Sequence, residues 1–126
     1  DDRASSYSTG RGSGGPAQLY AHADPVMLVG YDKKTVWSET GGTSSAQPHL
    51  SAAILLMKEV NPALSADDCM GIIERTADPS AGDANVRIID PMEALVVAAH
   101  LPGSTYQGDR LNSFTRALGF KADGTR

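Results

Sequence analysis

The stretch Gly41-Gly42-Thr43-Ser44-Ser45-Ala46-Gln47-Pro48-His49 runs directly into the apolar segment Leu50 to Met57, and this junction constrains the fold more than any other part of the chain. Two glycines open a turn that few other residues can follow. Hydroxyls come next, then a proline set where a first helical turn accepts it, because the amide that proline lacks would be unpaired there. The junction predicts a turn that hands Ser44 to the positive end of a helix running from about Ala46 to about Glu59. Free backbone amides and the helix dipole favour negative charge at such an end, which suits Ser44 to the role of a nucleophile. A hydroxyl there serves equally as a plain N-cap. Leu50, Ala52, Ala53, Ile54, Leu55, Leu56 and Met57 leave no polar face before Lys58-Glu59, so the helix is expected to be buried on all sides.

Around this element the chain reads as short strands followed by further helices. Asp1 to Ser8 has the pattern of a polar strand, and Gly10 to Pro16 that of a glycine-rich surface loop. The loop lacks the Gly-Lys-Ser/Thr ending of a phosphate cradle, and no apolar helix follows it. Gln18 to Ala23, Val26 to Val29 and Thr35 to Ser38 are predicted strands, the last two joined by the charged turn Gly30-Tyr31-Asp32-Lys33-Lys34. Asn61-Pro62 ends the central helix, since proline disfavours helical geometry in the residue before it. Ser65 then caps a helix near Ala66–Thr76, with Asp67 and Asp68 in its first turn and Cys69, Ile72, Ile73 and Thr76 on one face. After a turn-rich loop from Asp78 to Asn85 comes the strand Val86 to Ile89. Asp90-Pro91 opens a third helix near Pro91–Ala99, whose expected buried stripe is Met92, Leu95, Val96 and Ala99. Leu111, Phe114 and Leu118 mark a short amphipathic helix ending at Gly119.

With 126 residues, 40% hydrophobic and 21% charged, the chain is long enough for one core of ordinary globular balance. A net charge of -4 gives no sign of a nucleic-acid partner. Cys69 is the single cysteine, which forbids an internal disulfide and offers no metal spacing; at a helical apolar position it reads as core. No apolar run approaches the length of a membrane span.

Gly42-Thr43-Ser44-x-Ala46-x-Pro48-His49 resembles the nucleophile motif of the subtilisin-like serine peptidases, the subtilases, matching it at six fixed positions in a window of eight. The likeness extends from about Arg3 to about Ala99. Arg3-Ala4-Ser5 is similar to the family's Arg-Ala-Ser strand, Asn61-Pro62-x-Leu64-Ser65 to its Asn-Pro helix connection, and Ile72-Ile73-x-x-Thr76-Ala77 to the helix end that follows. Ala21-His22-Ala23 departs from it, standing where the family has Ala-Pro-Gly.

The resemblance implies an α/β architecture: the C-terminal portion of a subtilisin-like three-layer fold, with residues 1–100 inside the catalytic domain and 101–126 a C-terminal extension. It makes Ser44 the nucleophile, its backbone amide a donor to the oxyanion hole, and Gly42 and Thr43 its supports. The reaction implied is peptide-bond hydrolysis through an acyl-enzyme. The family's base lies in a Gly-His-Gly-Thr-His-type motif, its orienting acid in an Asp-Thr/Ser-Gly-type motif, and its oxyanion asparagine in a segment preceding this one. None of these occurs in the 126 residues. His49 lies about 140° round the helix from Ser44 at about 100° per residue, so it points away, and the family gives the matching histidine no role as base. Neither His22, two residues before Asp24, nor His100 has a spacing that demands a triad. Alone, the chain is expected to be essentially inactive, with the N-terminal part of the same catalytic domain as its partner and a peptide or protein as substrate. The resemblance implies no cofactor in this chain, allows calcium in the complete enzyme, and suggests a secreted or periplasmic setting. Two alternatives stand beside it: an inactive subtilase-like binding or regulatory protein, and a subtilase-like transpeptidase or macrocyclase. The hydrolase elbow Gly-x-Ser-x-Gly is absent.

Overall fold

In a computed structural model the described residues are 19–21, 26–29, 32–34, 36–39, 43–80 and 86–126. The expected strand at Asp1 to Ser8, the glycine-rich loop, Gly41-Gly42 and most of the Asp78 to Asn85 loop lie outside them. The architecture is mixed α/β and mostly helical, with four helices among the described residues. Strand β1 (Val26–Val29) pairs antiparallel with β2 (Val36–Glu39), in the register Val26 to Glu39 and Val29 to Val36. Between them Asp32 Oδ1 accepts from the Lys34 amide at 3.0 Å, and Lys33 takes a positive φ of 58°. Such side-chain-to-backbone bonding is what makes aspartate a turn residue. The second strand, expected at Thr35 to Ser38, is described from Val36 to Glu39, and Thr35 lies outside the described residues. Of the strand expected at Gln18 to Ala23, the described part forms one parallel bridge, Tyr20 to Ile88, with the Tyr20 amide donating to Arg87 O at 2.8 Å.

Helix α1 (Thr43–Val60) starts about three residues earlier than expected, so Pro48 falls inside the helix and not in its first turn. A proline there has no N–H for the carbonyl four residues back, and that carbonyl belongs to Ser44. The helix does not reproduce the all-round burial that its composition suggested. Ala53, Met57 and Val60 are buried, whereas Leu55 is 70% exposed and Leu56 46%, and Ala52 is exposed as well. Helical geometry explains the split. At about 100° per residue the three buried side chains fall within about 60° of one another, with Leu55 on the opposite side and Ala52 and Leu56 on the flank between. Composition alone cannot say which side of such a helix meets a neighbour.

Two compact units divide the chain, residues 1–50 with 79–88 and residues 51–78 with 89–126. The first contains the β1–β2 pair and the short pairing of β3 (Asp78–Pro79) with β4 (Arg87–Ile88), where the Ser80 amide donates to Val86 O at 2.8 Å. The second holds the helical core. Helix α2 (Ala66–Thr76) begins at a capping box: the Asp68 amide donates to Ser65 Oγ, and the Ser65 amide returns a bond to Asp68 Oδ2. Its buried face is Cys69, Ile72, Ile73 and Thr76. Helix α3 (Pro91–His100) opens with Asp90 accepting from the Glu93 amide at 2.9 Å. Leu95, Val96 and Ala99 are buried as expected, but Met92 is 49% exposed, and Ala94 and Ala98 are buried in addition. Met92 shares the Leu95 side of the helix, yet it sits in the first turn, ahead of the packed stretch. Helix α3 packs against α2 and against α4 (Gly108–Ala117). Residues 101–126 belong to the same compact unit as 51–78 and 89–100. Full burial of Met57, Ile72, Ile73 and Val96 contributes about 1.5–3 kcal/mol each by transfer from water.

Candidate functional site

Ser44 is exposed and sits in the first turn of α1, one residue after Thr43 opens the helix. The first four amides of any helix have no partner within it, and Ser44 sits among them. No acidic side chain lies in that turn to offset the positive end of the dipole. Gly42, expected to support the turn, is outside the described residues. Ser45, one residue on, is half-buried.

The histidines do not supply a base in the described structure. His49 Nδ1 lies 3.0 Å from the Ser45 carbonyl oxygen of its own helix. A carbonyl only accepts, so Nδ1 carries the proton and donates. This engages the ring with the backbone just after Pro48 and leaves its other nitrogen outward. His100 belongs to α3, where its Nε2 lies 3.1 Å from Thr115 Oγ1. The Thr115 hydroxyl spends its one proton on Leu111 O at 2.8 Å, so His100 Nε2 is the donor in that pair. His22 falls outside the described residues. Cys69 is fully buried, and burial pushes its thiol above the usual range, which suits packing and not nucleophilic chemistry. Among the described residues no three His, Cys, Asp or Glu side chains gather into a metal-binding group, and no helix is long and apolar enough to cross a membrane.

Sequence reasoning missed the part played by Asn61. It reads only as a helix stop before Pro62, yet the residue is wholly buried. Its Nδ2 donates to Ala98 O at 3.1 Å, Leu101 O at 3.4 Å and Pro102 O at 3.1 Å. Its Oδ1 accepts from the Ala63 amide at 3.2 Å. One carboxamide thus joins the end of α1 to the end of α3. The Thr105 amide and hydroxyl both donate to Val60 O, at 2.9 and 3.0 Å, and secure the same corner.

Measured from Ser44 at about 100° per residue, Leu55 lies about 20° away, Pro48 about 40° and Ala52 about 80°. Leu55 therefore shares the Ser44 side of the helix, whereas Leu56, about 120° from Ser44, lies nearer the buried face. Comparison with protein-family models, with curated proteins and with solved structures finds no match.

Proposed function

We propose that this chain is the nucleophile-bearing part of a subtilisin-like serine peptidase. On this reading α1 is the central helix of a three-layer fold, and polypeptide outside these 126 residues supplies the histidine, the aspartate and the oxyanion asparagine. The observation that supports it is the exposed apolar surface of Ala52, Leu55 and Leu56 on α1, the helix whose first turn carries Ser44. Exposed leucines on a packed helix stand next to water at a cost of about 25 cal/mol per Å². On this reading the polypeptide that covers them also supplies the base that Ser44 needs.

In the complete site Ser44 Oγ attacks the peptide carbonyl carbon while its proton passes to the partner's imidazole. The carbonyl oxygen becomes an oxyanion and accepts from the Ser44 amide, at the uncompensated positive end of α1. Collapse of the intermediate breaks the C–N bond, and the imidazole returns the proton to the leaving amine. Water then cleaves the acyl-enzyme by the same route.

The test is fluorophosphonate labelling of the full-length gene product. Labelling at Ser44 is expected, with Ser44→Ala removing both label and peptidase activity by orders of magnitude while folding is preserved. Ser45→Ala is the matched control and should keep both. Leu55→Glu should lower labelling by weakening the partner's seat. Labelling at Ser45, or full activity in Ser44→Ala, would overturn the assignment.

A further inference from the structure

We propose that residues 119–126 form a clasp that runs back along α3 and locks it lengthwise, so that this segment works as a conformational latch of the helical unit. The segment turns away from α4 at Gly119, whose φ is 87°, with the Phe120 amide donating to Thr115 O at 3.2 Å. Phe120 is buried. A tight turn follows, in which Lys121 N donates to Thr125 O at 2.7 Å and Gly124 N to Lys121 O at 2.9 Å. Asp123 Oδ1 pins the turn from inside by accepting from the Thr125 amide at 3.0 Å and hydroxyl at 2.7 Å.

The two contact points on α3 give the clasp its direction. Gly124 lies against the later part of the helix: a Cβ there would meet Val96 Cγ1 at 3.3 Å and the His100 ring at 3.4 Å. Its φ of 85° is also one that L side chains seldom adopt. Two residues on, Arg126 reaches the start of the same helix. Its Nε and Nη2 donate to Glu93 Oε2 at 3.1 and 3.0 Å, and Nη2 also pairs with Asp90 Oδ2. The guanidinium stands 4.9 Å over the Phe120 ring. Chain direction from Gly124 to Arg126 is therefore antiparallel to α3.

Asp90 is the residue that caps α3 through the Glu93 amide, so Arg126 grips the capping carboxylate and the first-turn acid together. Losing that grip loosens the cap, the first turn and the lid over Phe120 in one event. A single exposed ion pair contributes little; here one guanidinium joins two acids to an aromatic face, and the backbone behind it is fixed by Gly124.

The experiment is residue-resolved amide hydrogen exchange on the whole chain, which reads local opening directly. Arg126→Ala is expected to speed exchange about three- to ten-fold at both 119–125 and the first turns of α3, the two sets moving together. Arg126→Lys keeps the charge without the fork or the stacking and should fall between. Gly124→Val attacks the other contact point and should open the same amides. Arg116→Ala, an exposed arginine on α4, should change neither set. Faster exchange confined to residues 125–126 in Arg126→Ala would mean a frayed end and no clasp. An unchanged first turn of α3 in both Arg126→Ala and Gly124→Val would overturn the proposal outright.

Discussion

Replacing Asn61 by alanine tests whether one buried carboxamide holds the corner where α1, the 101–107 loop and the end of α3 meet. The side chain donates to three carbonyls and accepts from one amide, all inside a residue with no exposed surface. Alanine removes all four contacts. The net value of a hydrogen bond is about 1 kcal/mol, and a buried group left unpaired costs about 1–3 kcal/mol. Pro102 and Gly103 are exposed, so water can reach part of the vacated space and relieve the Pro102 carbonyl. Ala98 O and the Ala63 amide have less access, which puts the expected loss at about 2–4 kcal/mol. For a chain of this length that is about 8–15 °C in Tm. The assay is urea unfolding followed by far-UV circular dichroism, which reports the helices directly. Asn61→Asp keeps the shape but turns the donor into an acceptor facing carbonyls, so it should cost at least as much above pH 5. A loss below about 0.5 kcal/mol in Asn61→Ala would refute the reasoning, because it would mean the carbonyls find equivalent partners without the amide.

Two further outcomes follow from local geometry. Gly103→Ala should destabilise strongly, since a Cβ there would stand 2.4 Å from the Ala63 Cβ and 2.9 Å from Asn61 Oδ1, at a φ of 91°; thermal melts of this variant beside Gly108→Ala, where no atom lies within 4 Å of the added carbon, separate crowding from the cost of a positive φ. The Asp68 carboxyl is held below its usual range first by the Ser65 hydroxyl and then by the Ser65 amide, so its contribution to stability is present above the unfolded value near pH 4 and fades as pH falls through the lower folded value. Ser65→Ala should therefore flatten the acid limb of stability against pH and remove about 1 kcal/mol of helix capping at neutral pH; an unchanged acid limb would break the link.

The helical unit was legible in the sequence to the extent that its signals are local. Ser65 with Asp68, and Asp90 followed by Pro91, carry their own capping chemistry, and both helices start where that chemistry places them. Cys69, Ile72, Ile73 and Thr76 fall on one face because spacing alone puts them there. Leu111, Phe114 and Leu118 likewise mark α4, which ends beside Gly119. The failures are tertiary. Met92 has the spacing of a core residue but sits a turn ahead of the packed stretch, and Asn61 looks like a helix stop until the α3 carbonyls are placed around it. The clasp at Arg126 joins residues more than thirty positions apart in sequence, so no periodicity announces it.

The same distinction bears on Ser44. The sequence signals a turn that hands Ser44 to a helix from about Ala46, whereas α1 begins at Thr43 and takes Ser44 into its first turn. What the sequence could not reveal is that α1 has two apolar sides of unequal fate. One side carries Ala53, Met57 and Val60 into the core, and the rest leaves Leu55 and Leu56 in solvent. A helix needing only to fold could carry polar residues on its outer side, as α2 does with Glu74 and Arg75. α1 instead holds Leu55 and Leu56 outward, at 70% and 46% exposure. Pro48 falls on the Ser44 side, and it deprives the Ser44 carbonyl of its usual amide partner inside the helix. On the peptidase reading proposed above, the completing partner for the serine would approach this opening stretch of α1, where Ser44 and Pro48 lie within about 40° of one another.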